Sequence, residues 1–139
     1  MTVPTDAVAG AALALVGCPF RLHGRDPRTG LDCAGLVCAA LEAAGLRPVA
    51  PFGYTLRNLS IEHWLPLARL SGLAPAAGPI CAGETMLVTL PHCQHHLVIA
   101  ADGATVVHAH AGLRRVVHQP LDPAWLIRAR WRAAPPEEG

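Results

Sequence analysis

Five strand-like segments crowd into the stretch from Thr85 to Trp131, and that crowding restricts the fold more than anything else in the chain. Thr85 to Leu90, His95 to Ala100, Ala104 to Ala109, Leu113 to Gln119 and Leu126 to Trp131 are short apolar runs separated by turn residues. Two helical segments come before them. The first runs from about Asp6 to Val16, capped by Thr5 or Asp6 and stopped by Gly17 and Pro19, with Ala9, Leu13 and Val16 as its buried stripe. The second runs from about Cys33 to Ala44, capped by Asp32 and ended by Gly45, with Leu36, Val37, Ala40 and Leu41 facing inward. Helices followed by an antiparallel meander predict an α+β fold. Between Arg47 and Pro79 the chain is rich in Pro and Gly. One further short helix, Ser60 to Leu70 with Ile61, Trp64 and Leu65, is expected there as a groove wall.

A chain of 139 residues makes one domain, expected over 1–134, with 135–139 as a frayed tail. A net charge of +1 with 15% charged residues offers no basic face for nucleic acid. No apolar run approaches the length needed to span a bilayer, since Ala7 to Val16 is too short. The stretch from Met1 to Gly17 carries Asp6 and no Lys or Arg, unlike a secretory signal, so a cytoplasmic protein, as synthesised, is expected. Five cysteines, at 18, 33, 38, 81 and 93, form an odd set without repeated close spacing. They argue against a disulfide framework.

Cys33 is the residue to explain. It follows Gly30, Leu31 and Asp32 at the start of the second helix, where the macrodipole and unpaired N–H groups favour thiolate over thiol. Ala34 and Gly35 would leave its sulfur approachable. A buried cysteine is more often core filler than nucleophile, so a base is needed to shift the balance. The hairpin from His95 to Ala109 supplies one. If Ala101, Asp102 and Gly103 form a three-residue loop with glycine in the left-handed position, Ala100 pairs with Ala104 and His96 lies directly opposite His108. Leu97 and Ile99 then point one way, and His96, Val98 and Ala100 the other.

Other polar residues have plainer readings. Cys81, His92, Cys93 and His95 lack the paired spacing of a zinc site, so no metal and no cofactor are expected. Cys18 and Cys38 read as small core residues, and His63, His110 and His118 as partly exposed. Arg114, Arg115, Arg128, Arg130 and Arg132 read as a solvated sheet face, with Trp125 and Trp131 packing at the sheet edge.

The chain resembles the NlpC-type family of papain-like cysteine peptidases, which cut peptides of the bacterial cell wall. The resemblance rests on Gly17-Cys18-Pro19-Phe20-Arg21, on Thr29-Gly30-Leu31-Asp32-Cys33-Ala34-Gly35-Leu36-Val37, on Ala82-Gly83-Glu84-Thr85-Met86-Leu87-Val88, and on His96-Leu97-Val98-Ile99 and Val107-His108-Ala109. It implies a papain-like α+β fold with Cys33 as nucleophile, His96 as general base and His108 as the residue that orients the base. It also implies Asp32, Phe20 and Ala34 near the oxyanion or substrate, and peptidoglycan stem peptides as substrate. Short members of the family resemble phage-tail peptidases, so tail or gene-transfer-particle proteins are expected partners and delivery routes, beside a secretion machine. Four positions depart from the pattern. Phe20 stands where a tyrosine is usual, Ala34 where a serine is common, His23 in place of the first of two glycines, and Glu84 in place of an aspartate. A weakened structural or binding module of a tail assembly, or an amidase or acyltransferase with another substrate, are the alternatives.

Overall fold

The computed structural model describes residues 4–49, 68–91 and 94–133. Helix α1 spans Pro4–Ala14 and buries Val8, Ala9 and Ala12. Of the expected stripe only Ala9 turns inward, because the helix begins and ends earlier than its sequence suggested. Thr5 and Asp6 fall within it, Val16 falls beyond its last turn, and Leu13 and Val16 stay 40% and 42% exposed. Helix α2, Cys33–Ala43, follows its local signals closely. The Asp32 carboxylate accepts the Gly35 N–H at 2.8 Å as N-cap. At the other end Gly45 turns to φ +93°, Gly45 N donates to Glu42 O and Leu46 N to Leu41 O. Those two bonds satisfy the last carbonyls of the helix in a Schellman closure.

Six strands form one antiparallel sheet: β3 Leu73–Pro75, β4 Thr85–Thr89, β5 His95–Ala100, β6 Thr105–His110, β7 Arg115–Pro120 and β8 Leu126–Ala133. Two short segments, β1 Arg25–Asp26 and β2 Gly30–Leu31, pair before α2. The spatial order is β3-β8-β4-β5-β6-β7. Four strands therefore make the expected meander, but β8 does not extend it. It returns to the free side of β4 and carries β3 on its outer edge.

Charge helps fix that return. Glu84, at the start of β4, is fully buried and accepts from Cys81 N at 2.7 Å, Arg130 Nε at 2.7 Å, Arg130 Nη2 at 3.0 Å and Arg132 Nε at 3.1 Å. Burial pushes its pKa up, but the bonds from Arg130, Cys81 and Arg132 outweigh that and hold it below its ordinary value. Arg130 and Arg132 thus turn onto a buried carboxylate rather than lining a solvated face.

The helices and one face of the sheet enclose the larger core: Val8 and Ala12 of α1, Leu36, Val37, Ala40 and Leu41 of α2, and Leu87, Leu97, Ile99, Val107, Ala109, Val116 and Trp131 from the strands. Trp131 is accordingly core, not edge. Met86, Val88, Val98, Ala100 and Val106 form a smaller cluster on the opposite face, covered by Ile80, Leu90, Leu121 and Trp125. Among the described residues no helix is long and apolar enough to cross a membrane. Of the helix expected at Ser60 to Leu70, residues 68–70 are helical and 60–67 lie outside the described residues, with Ile61, His63, Trp64 and Leu65. The tail 135–139 lies outside them too.

Candidate active site

A backbone-to-backbone contact places Cys33. A Cβ on Gly35 would overlap the Gly24 carbonyl, and a Cβ on Gly24 would overlap the Gly30 carbonyl, so the loop before α2 lies directly on the first turn. Gly35 is small for that contact rather than to open a path to the sulfur. His23, beside Gly24, holds φ +62° and donates its N–H to Asp32 Oδ2 at 2.8 Å. Asp32 is buried, and besides Gly35 N and His23 N it pairs with Arg25 Nη1 at 3.0 Å. Donors from the loop and from the helix start thus converge on this carboxylate.

Cys33 is 5% exposed at the first position of α2. Burial pushes its thiol up to about 12, against the hydrogen bonds that the Leu97 and Ala34 backbone N–H groups direct at it. Asp32 adds to the rise and Arg25 opposes it. The thiolate expected from the helix start is therefore not the resting form. The N–H at the helix start acts in the anticipated direction, but desolvation is larger.

Leu97, whose backbone N–H opposes the rise of the Cys33 thiol, is the neighbour of His96 in β5. The His96 ring meets His108 on β6, Nε2 to Nδ1, at 2.9 Å, with ring centroids 5.0 Å apart and planes at 85°. The two share one face, as expected, but do not lie directly opposite. The register pairs Ile99 with Val107 and Ala100 with Val106. Asp102 Oδ1 accepts the N–H groups of Ala104 and Thr105, and Ala101 N donates to Thr105 O, which moves the loop one residue on, to Asp102, Gly103 and Ala104. Gly103 is not among the glycines at positive φ. A one-residue move of the loop changes the register sum by two, so the face is kept and His96 and His108 become diagonal neighbours.

Burial, with His108 and His110 nearby, pushes His96 down from its ordinary 6.5 to about 3. Burial also lowers His108, against the bond from Gln119. Cys33, His96 and His108 line one cavity of about 230 Å³ with Phe20, Leu90, Gln94, His110 and Trp125. Trp125 stands edge-on to both imidazoles, its ring 5.3 Å from His108 and 6.4 Å from His96. Ala34 is buried behind α2, where it lines a separate apolar cavity of about 30 Å³ with Val37, Leu41 and Leu97. Asp32 faces the loop side of the helix start. Phe20 is the one member of the expected trio beside Asp32 and Ala34 that borders the groove, held there by a bridge to Leu31.

Trp125 and Gln119 touch the histidine pair without belonging to any motif. Trp125 covers the histidines from the loop before β8. Gln119 Oε1 lies 2.8 Å from His108 Nε2. Alternation along β7 puts Gln119 on the same face as His108, which is the only sequence signal that marked it. Cys18 and Cys38 are half-buried, Cys81 is exposed, and Cys93 and His92 lie outside the described residues. Among the described residues no three His, Cys, Asp or Glu side chains gather as metal ligands. His118 is exposed and bonds Thr105, while His110 borders the groove.

Helices on an antiparallel sheet, with a cysteine at a helix start and a histidine pair on the strands, make this a papain-like α+β fold. Solved structures give its particular form, that of the NlpC/P60 proteins. NlpC2 from Trichomonas vaginalis matches 96% of this chain and 47% of its own, with a TM-score of 0.69 and 16% identity. The NlpC/p60 domain of the peptidoglycan hydrolase SagA matches 91% of this chain and 96% of its own, at 0.61 and 21%. The peptidoglycan hydrolase RipB from Mycobacterium tuberculosis matches 93% of this chain and 63% of its own, at 0.57 and 17%. The chain thus spans about half the length of the Trichomonas protein. No family model and no curated protein matches it.

Proposed function

We propose that the chain is a cysteine hydrolase acting on peptide or isopeptide bonds of peptidoglycan stem peptides, with Cys33 as nucleophile, His96 as base and His108 as the residue that orients His96. The observation that carries this reading is the His96–His108 hydrogen bond, 2.9 Å long, in the wall of the cavity that Cys33 also lines. A neutral thiol and a neutral imidazole at rest set the chemistry. The Cys33 proton passes to His96 Nδ1, the nitrogen not engaged by His108, as the sulfur bonds to the substrate carbonyl carbon. The carbonyl oxygen takes the charge, next to the Cys33 backbone N–H at the helix start. Imidazolium His96 protonates the amine as the C–N bond breaks. Water then gives a proton to His96 as its oxygen bonds the acyl carbon, the C–S bond breaks to release the acid, and His96 returns the proton to the Cys33 sulfur.

One observation favours a second reading, a binding module with weakened chemistry: the Cys33 thiol is nearly closed off and pushed up to about 12. Incubation with stem peptides from several wall types, followed by mass analysis of the products, separates the two. Hydrolysis is expected, lost in both Cys33→Ala and His96→Ala. Peptide binding by the wild type without cleavage would leave the module reading standing.

A further inference from the structure

The two histidines can be hydrogen-bonded in either of two senses, and only one leaves His96 able to take a proton from Cys33. From the donor and acceptor chemistry of the side chain that bonds His108 from β7, we infer that Gln119 is a positioning residue that fixes this sense. The inference rests on the hydrolase reading for its consequence, though not for its geometry.

A carboxamide oxygen only accepts. Gln119 Oε1, 2.8 Å from His108 Nε2, therefore requires the proton of His108 on Nε2. A neutral imidazole carries a single N–H, so His108 Nδ1 is left with its lone pair. That lone pair faces His96 Nε2 at 2.9 Å and can only accept, so His96 donates through Nε2. His96 Nδ1 is then unprotonated and is the basic nitrogen. The order of protons along Gln119, His108 and His96 follows from the carboxamide oxygen placed against His108 Nε2 at the far end.

Packing keeps the order. His108 is 3% exposed, so bulk water does not compete for its nitrogens, and Trp125 stands edge-on over both rings. Gln119 pairs through its backbone with Val106, two residues before His108, which fixes the height from which the carboxamide reaches the ring. Nothing in the Cys33 or His96 motifs supplies this information. An imidazole pair without Gln119 would divide between the two senses, and in the wrong one His96 holds its proton toward the thiol.

Long-range ¹H–¹⁵N spectra of the histidine rings read the tautomers directly at neutral pH. In the wild type, His96 and His108 are both expected to be protonated at Nε2. Gln119→Met keeps the bulk and removes the strong acceptor, and His96 is expected to become a mixture, with turnover reduced severalfold. Gln119→Lys presents a donor, so both protons move to Nδ1 and turnover falls about a hundredfold, the low end of what a general base supplies. Gln119→Glu, read at mildly alkaline pH where His108 stays neutral, restores both Nε2 protons and most of the turnover. If His96 keeps its Nε2 proton in Gln119→Met and Gln119→Lys, or if the wild-type rings are protonated at Nδ1, the inference is overturned. Should Gln119→Lys not fold, the contrast between Gln119→Met and Gln119→Glu decides. A wild type that cleaves no stem peptide would sink the hydrolase reading, while the tautomers still decide the role of Gln119.

Discussion

Strand β5 shows two surfaces made from six consecutive residues. On one, Leu97 and Ile99 enter the core under α2 with Leu36, Leu41 and Val107. On the other, Val98 and Ala100 join the small cluster beneath Trp125, and His96 continues that face into the groove. The first surface is dry and filled by aliphatic volume. The second is held by a chain of hydrogen bonds, 2.9 Å and then 2.8 Å long, that ends on Gln119. Period-two alternation lets a single strand support both, so stability and chemistry can be disturbed separately.

His96→Ala should lower turnover of stem peptides by about a hundred- to ten-thousandfold, the range of a lost general base, while moving the thermal midpoint less than a core truncation does. Leu97→Ala should do the reverse, costing about 2–5 kcal/mol of unfolding free energy in denaturant titration. Equal loss of stability in both variants would erase the distinction between the faces.

Titration sharpens it. His96 is pushed from 6.5 down to about 3 in the folded chain, so folding favours its neutral form. Its contribution to stability is fully present above 6.5 and is lost as pH falls through that value toward about 3. Urea midpoints should decline over this window, and His96→Gln should flatten the decline. A wild-type curve that stays level until carboxylates titrate would contradict the lowered pKa of His96. The smallest effect concerns the loop before α2. His23 holds φ +62°, where an L side chain costs roughly 1–2 kcal/mol, less for histidine than for bulkier residues. His23→Gly should therefore raise the unfolding free energy by up to about 1 kcal/mol, measured by the same titration.

Local signals were legible where a residue's neighbours in sequence are also its partners in space. Asp32 caps α2 through Gly35, and Gly45 closes it, both within a turn of the helix end. The alternation of β5 was legible for the same reason, and it survived a loop displaced by one residue because the displacement preserved parity. What stayed hidden depends on distant chain. The partner of β4 on its second side is β8, some forty residues away, and nothing near Thr85 or Trp131 names the other. The state of Cys33 was not legible because a helix start is a local feature whereas burial is set by the sheet it packs against. Trp125 joins the groove, and Gln119 the histidine that lines it, only after β6, β7 and the loop before β8 have come together.

The placement of β8 between β3 and β4 has a consequence for the order of assembly. Residues 85–120 can pair as successive hairpins as they leave the ribosome, yet one edge of β4 stays open until Leu126–Ala133 follows. Glu84 waits at that edge as well, since Arg130 and Arg132 ride on the incoming strand. An unpaired strand edge and an uncompensated carboxylate are thus resolved together when that strand docks.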